Sequence, residues 1–164
     1  MKILFATIVL LLSSICFGQN FLRTNEQLII SFQTNTRKQV YLVKDKSNKY
    51  ISYRFGIKDE IEFEYPSTEK GSLSKFAYSY YLRGGGTANE GMDLNYMYFT
   101  NNGFQYVIYH TYYAVGNKRN IEVKVIDMKT KKIVDVKGNN KTRKGTFVDF
   151  RDNGLMEIGE ELFD

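Results

Sequence analysis

Tryptophan is absent from this 164-residue sequence, and proline, histidine and cysteine occur once each, as Pro66, His110 and Cys16. With a single proline and 15% aromatic residues, breakers are scarce and core formers plentiful, which excludes a disordered or collagen-like chain. One histidine and one cysteine leave no zinc site of ordinary composition. A lone cysteine also closes no disulfide within the chain. No apolar run reaches the roughly eighteen residues of a membrane-spanning helix, and the length suits one domain.

What is present begins with an address. Lys2 precedes an apolar run from Ile3 to Leu12, and Ser13 to Gly18 follows with small residues at Cys16 and Gly18. That layout predicts a secretory signal peptide over residues 1–18, cleaved before Gln19, with one domain over 19–164 and a periplasmic or secreted destination. Lipid attachment at Cys16 is the rival reading, and the bulky Ile15 before the cysteine disfavours it. Cleavage removes Lys2 and Cys16, so the net charge falls from +5 to +4 and 146 residues remain without cysteine. Such a domain has to be held by its hydrophobic core alone, and a chain of this size buries enough surface for that.

Period-two alternation runs through the mature chain. Leu28, Ile30 and Phe32 share one face, as do Val40 and Leu42, then Ile51, Tyr53 and Phe55, then Ile61, Phe63 and Tyr65 opposite three glutamates. Further strands are expected at 76–82, 93–100, 104–114, 121–125, 133–136 and 146–150. Asn102-Gly103 is the strongest turn signal, because both residues accept the positive φ angles of a two-residue hairpin turn. Residues 44–56 and 126–138 share an Asp, a lysine-rich turn and a terminal Gly, which fits two hairpins obeying the same turn chemistry. The sum is an all-β single domain, an antiparallel β-sandwich or barrel of nine or ten strands, with a tail from Arg151 to Asp164 that is either a short helix or a loose end.

Of the 23 mature tyrosines and phenylalanines, twelve lie between Phe76 and Tyr113, and they occupy both faces of their strands. Either these are central strands covered on both sides, or one face is an exposed aromatic surface that grips a partner. Between two of the strands lies Arg83-Gly84-Gly85-Gly86-Thr87-Ala88-Asn89-Glu90-Gly91. Three consecutive glycines point to unusual φ angles or a close backbone approach. Bare N–H groups beside an arginine suit a carboxylate or phosphate. No Lys-Ser pair and no helix follows, so it is not a nucleotide-binding loop. The partner-binding candidates are therefore Arg83, Gly84, Gly85, Gly86 and Asn89, flanked by Tyr78, Tyr81 and Tyr113.

Catalysis finds little support. His110 sits mid-strand without a nucleophile elbow, and Asn89, Glu90, Asp93 and Asn95 match no standard calcium loop. No catalytic residue, metal or cofactor is assigned. The basic stretch from Lys129 to Lys144 is interrupted by Asp135, and export would remove the protein from cytosolic nucleic acid. A lysine-rich sheet edge that discourages aggregation is the simpler reading.

The strings Tyr53-Arg54-Phe55-Gly56, Phe76 to Gly86 with Asn89 and Gly91, and Phe99-Thr100-Asn101-Asn102-Gly103 with Tyr106 resemble a group of small exported bacterial proteins of unassigned function. The resemblance covers about residues 38–148 and implies one secreted domain, with no activity to carry over. The expectation is an exported, non-catalytic binding protein of the bacterial envelope with a protein partner, such as an inhibitor or immunity protein against a cell-wall enzyme or toxin. The alternative is a carbohydrate-binding or surface-attachment domain that holds polysaccharide on an aromatic face. A small hydrolase ranks third.

Overall fold

The computed structural model describes residues 21–67 and 71–163, so the expected signal peptide lies outside the described residues. Two meanders carry most of the fold. β1 (Glu26–Gln33), β2 (Gln39–Asp45), β3 (Ile51–Ile57) and β4 (Glu60–Tyr65) form the first. The second comprises β5 (Phe76–Arg83), β6 (Met92–Asn101), β7 (Phe104–Tyr113), β8 (Lys118–Asp127) and β9 (Ile133–Lys137). Two short strands complete the sheets: β10 (Lys144–Gly145) flanks β1, and β11 (Ile158–Gly159) runs parallel to β5. The sheets read β10-β1-β2-β3-β4 and β11-β5-β6-β7-β8-β9, packed as a sandwich of one domain, all-β as the alternation predicts.

Local chemistry explains the hairpins. Asn102 and Gly103 take φ of 49° and 80°, and Asn101 faces Phe104 across the turn. Asp45 and Asp127 each fold their carboxylate back onto the turn that follows, accepting from Ser47 and Lys49 N–H in one hairpin and from Lys129 and Thr130 N–H in the other. Residues 146–150, expected as a strand, instead lead into a 3-10 turn, Val148–Arg151. Phe147 and Phe150 are three apart, and that spacing lets both rings enter the core from one turn.

Between the sheets, Ile30, Phe32, Val40, Leu42, Ile51 and Tyr53 meet Phe76, Tyr78, Met97, Phe99, Ile108 and Val123. One end closes with stacked rings: Tyr65 on Phe99 at 4.4 Å, Phe99 on Tyr106 at 4.9 Å and Tyr106 on Phe63 at 5.2 Å. At one corner the chain crosses between sheets. Gly138 N–H bonds Ile121 O in the second sheet while Gly138 bridges Thr34 beside the first. A Cβ there would lie 2.5 Å from the Phe32 ring and 2.6 Å from the Ile121 oxygen, so only glycine fits the crossing.

Each sheet also has an outer face, and the segments flanking the strands, before β1 and after β11, lie over the two. On the first sheet, Arg54 is wholly buried beneath the segment that begins at Phe21. Its guanidinium grips Glu26 through two bonds of 2.6 Å, donates to Glu64 at 2.7 Å and to the Phe21 carbonyl at 2.8 Å. Glu26 also accepts from Tyr50 OH and Arg23 N–H, and Glu64 from Arg23 and Ser52. A buried charge is tolerable only when its donors and acceptors are satisfied this fully. The glutamate face of β4 is thus wet only in part: Glu62 pairs with Lys38, but Glu64 belongs to this cluster.

On the second sheet, Tyr96, Tyr98, Tyr109, Leu94 and Val107 form an outer cluster roofed by Phe163. The Phe163 ring lies 4.9 Å from Tyr98 and 5.5 Å from Tyr96. Ser79 donates to Glu161 O at 2.5 Å, Tyr98 OH to the Glu161 carboxylate and Tyr109 OH to Phe163 O. The tail is therefore neither a helix nor a loose end: it adds β11 to a sheet edge and then straps the aromatic face. This is the covered arrangement, rather than the exposed one, for most of the aromatic strands.

Burial pushes the Glu26 carboxyl up, but bonds from Arg54, Arg23 and Tyr50 outweigh it and hold the carboxyl below its ordinary value of 4.5. The stability contributed by a depressed carboxylate is complete above the unfolded value and is lost as pH falls through the folded one. Urea unfolding should therefore show stability dropping below pH 4.5 in the parent chain. Glu26→Gln should be weaker at pH 7 by about 3 kcal/mol, as expected when one partner of a buried pair is removed, and flatter in acid. Equal slopes for the two proteins would contradict the assignment.

Candidate functional site

One end of the second sheet carries the loop between β5 and β6 and the connection between β7 and β8, and this end gathers most of the sequence candidates. Gly84 to Glu90 are all exposed, yet the loop is well held. Gly91 N–H bonds Gly86 O at 2.7 Å, Asn89 donates to Gly84 O at 3.0 Å, and Ala114 N–H bonds Gly91 O at 2.8 Å. Arg83 closes the loop from below, its guanidinium donating to the Glu90 carbonyl at 2.9 and 3.1 Å with the Glu90 carboxylate 3.6 Å away. The glycines have distinct jobs. Gly85 takes φ of 90° against the Asn89 side chain, and a Cβ on Gly91 would come within 3.1 Å of Gly86 and the Arg83 carbonyl.

Arg83 and the glycine backbone were expected to present charge and bare N–H groups to a partner. The guanidinium is instead committed to Glu90, so Arg83 is a clamp within the loop. Tyr81 is 39% exposed beside it, and Tyr113 is half-buried one strand beyond Met92, which pairs with both Arg83 and Tyr113. Tyr78 does not belong to this surface. It has the opposite parity on β5, is fully buried, and donates to Asn95 at 2.7 Å. Burial pushes its phenol up to about 12, with Arg151 pulling the other way.

Two exposed residues escaped the sequence reading, Tyr80 and Leu82, the latter 57% exposed. β11 pairs with β5 at Tyr78 and Ser79, so among the described residues the strand edge from Tyr80 to Arg83 has no strand beside it. The signal was parity: inward-facing positions run Phe76, Tyr78, Tyr80, Leu82, and the core ends before the strand does. An open hollow of about 280 Å³ sits between Leu82, Gly84, Gly86, Gly91, Asp93 and Tyr112. A larger hollow of about 600 Å³ lies at the opposite end, between Phe76, Tyr98 and the tail. Of its two carboxylates, Glu157 and Glu161, the second is bound to Tyr98.

Beneath the loop, on the inner parity, is a polar cluster. Arg151 reaches from the 3-10 turn onto Asp93 and Asn95 and lies over the Tyr80 ring, 4.7 Å from its centre. Asn95 donates to Asp93 at 2.7 Å and to the His110 carbonyl at 3.2 Å. The His110 ring packs edge-on against Phe147, with Nδ1 3.5 Å from Thr146 Oγ1. Burial, then Arg143, push its imidazole down to about 4, while Asp93 opposes them. Asn89 and Asp93, considered for calcium, are turned to Gly84 and Arg151.

The chain matches no family model, and no curated protein or solved structure is significantly similar to it. Function has to be argued from this geometry.

If Arg83 is a clamp, Arg83→Ala should leave global stability within about 0.5 kcal/mol, as for a surface change. Amide exchange at Glu90 and Gly91 should accelerate, measured by NMR. Unchanged protection of those two amides would contradict the clamp.

Proposed function

We propose that this chain is an exported, non-catalytic binding protein of the bacterial envelope that engages a protein partner through its glycine-loop end, as an inhibitor or immunity protein against a cell-wall enzyme or toxin. One observation carries the reading: a fully exposed loop whose shape is held by its own hydrogen bonds, next to exposed Tyr81 and Leu82. A loop already in its bound shape loses little entropy on docking, which is how a protruding loop gains affinity for a cleft. Exposed tyrosine beside an apolar residue supplies the anchor such contacts rely on. The export half of the proposal rests on the sequence of residues 1–18.

A carbohydrate-binding face built on stacked tyrosines is less favoured. Phe163 already occupies the outer aromatic face, leaving Tyr80 and Tyr81 as the exposed tyrosines. Partner choice is tested with mature chain immobilised against envelope extract, comparing parent with Tyr81→Ala/Leu82→Ser. The parent should retain one stoichiometric protein and slow the peptidoglycan hydrolysis or toxicity of that protein. The variant should bind it at least about thirtyfold more weakly, the scale of losing one anchor residue. Retention on polysaccharide with no protein captured would contradict the proposal.

A further inference from the structure

The polar cluster beneath the loop is not used by the partner surface just described, and its charge is unbalanced. Tyr112 on β7 pairs with Asp93 on β6 and with Arg119 on β8, all on the inner parity, where the first sheet no longer covers the second. Arg119 is exposed, and its guanidinium lies over the Tyr112 ring at 4.3 Å with no hydrogen bond among the described residues. Arg151 lies over Tyr80 and is paired with Asp93. Arg143 is half-buried and donates to the Gly145 carbonyl in its own segment. The segment that carries Arg143 runs past both neighbours: Asn140 donates to the Arg119 carbonyl at 2.6 Å and Thr146 Oγ1 lies 3.5 Å from His110 Nδ1, and Arg143, Arg119 and Arg151 act on His110 against Asp93.

Like charges gathered at one end of a sheet repel, and an exposed guanidinium without a hydrogen-bond partner is open to an added oxyanion. Stacking on a tyrosine fixes the plane of a guanidinium and leaves its N–H edge free for a two-pronged contact, which a carboxylate or phosphate matches. The neighbouring histidine stays neutral, so it can donate one N–H to an oxyanion or take a proton when one arrives.

We propose that Arg119 and Arg143, with His110 and Tyr112, form a binding site for a small oxyanion, a carboxylate or a phosphate, at the open end of the second sheet. The site goes beyond the partner-binding reading and stands without it. Bound negative charge offsets Arg119, Arg143 and Arg151 where only Asp93 now does, so the anion raises the protonation point of His110 from about 4, and binding tightens as pH falls toward that range.

His110 is the sole histidine, so its imidazole carbon-bound protons give an unambiguous NMR signal in untagged mature chain. Inorganic phosphate and citrate are titrated separately at constant ionic strength, and the tighter of the two identifies the oxyanion. Expected are a saturable shift and a raised His110 titration midpoint. Arg119→Gln/Arg143→Gln, with unchanged circular dichroism, should weaken binding at least about tenfold, the scale of losing charge-assisted bonds. A non-saturating shift of equal size in parent and double variant, which is general salt screening, would overturn the site. So would an immobile His110 signal with both anions.

Discussion

Two sheets packed together hide one face each, and in this protein the two remaining faces are also unfit for water. The outer side of the first sheet holds Arg54 without solvent access; the outer side of the second holds Tyr96, Tyr98, Tyr109, Leu94 and Val107. The segment before β1 and the tail after β11 serve as covers. Phe21 closes over Arg54 with a carbonyl and stacks near Tyr41, and Phe163 closes over the tyrosines. The two covers differ in kind. The first satisfies a charge through directed bonds and is intolerant of partial loss. The second buries apolar area and three tyrosine rings, with the Tyr98 hydroxyl tied to Glu161 and the Tyr109 hydroxyl to the Phe163 carbonyl.

With both broad faces covered, the proposed partner surface falls at one end of the sandwich. One end closes on the stacked Tyr65, Phe99 and Tyr106 rings. At the other, strands β5 to β8 outrun the first sheet, and inward parity runs on to an exposed Leu82 and to the polar Asp93, Tyr112 and Arg119. The overrun supplies a rigid platform: the clamped glycine loop on its rim and the arginine cluster on its floor. The same register that builds the core thus decides where the core stops.

Much of this was legible in the residues because alternation and turn chemistry are local. The strands of both meanders follow from period two, and Asn102-Gly103 from the φ angles it tolerates. The tail was not legible. Ile158 and Gly159 carry no strand pattern and pair only because a distant edge at Tyr78 and Ser79 receives them. Phe147 and Phe150 look like strand residues, but their spacing of three serves a 3-10 turn once a core lies beside it. Tyr78 and Tyr81 read alike as rings near a glycine loop, yet opposite parity sends one into the core and the other to the surface. Arg83 beside three glycines suggested a free charge; that its donors turn to Glu90 depends on loop closure, which no spacing encodes. Arg151, over fifty residues from Asp93, meets it only through the fold.

The claim that the aromatic face is sealed core, leaving recognition to the loop end, is tested most directly by a chain ending at Gly159, which lacks Glu161 and Phe163. Urea unfolding combined with binding of an apolar fluorescent dye reports both stability and exposed surface. Sealing predicts a loss of up to about 3 kcal/mol, the scale of burying one phenylalanine side chain, together with strong dye binding by the folded protein. Unchanged stability with no dye bound would mean that the tail covers nothing the fold needs.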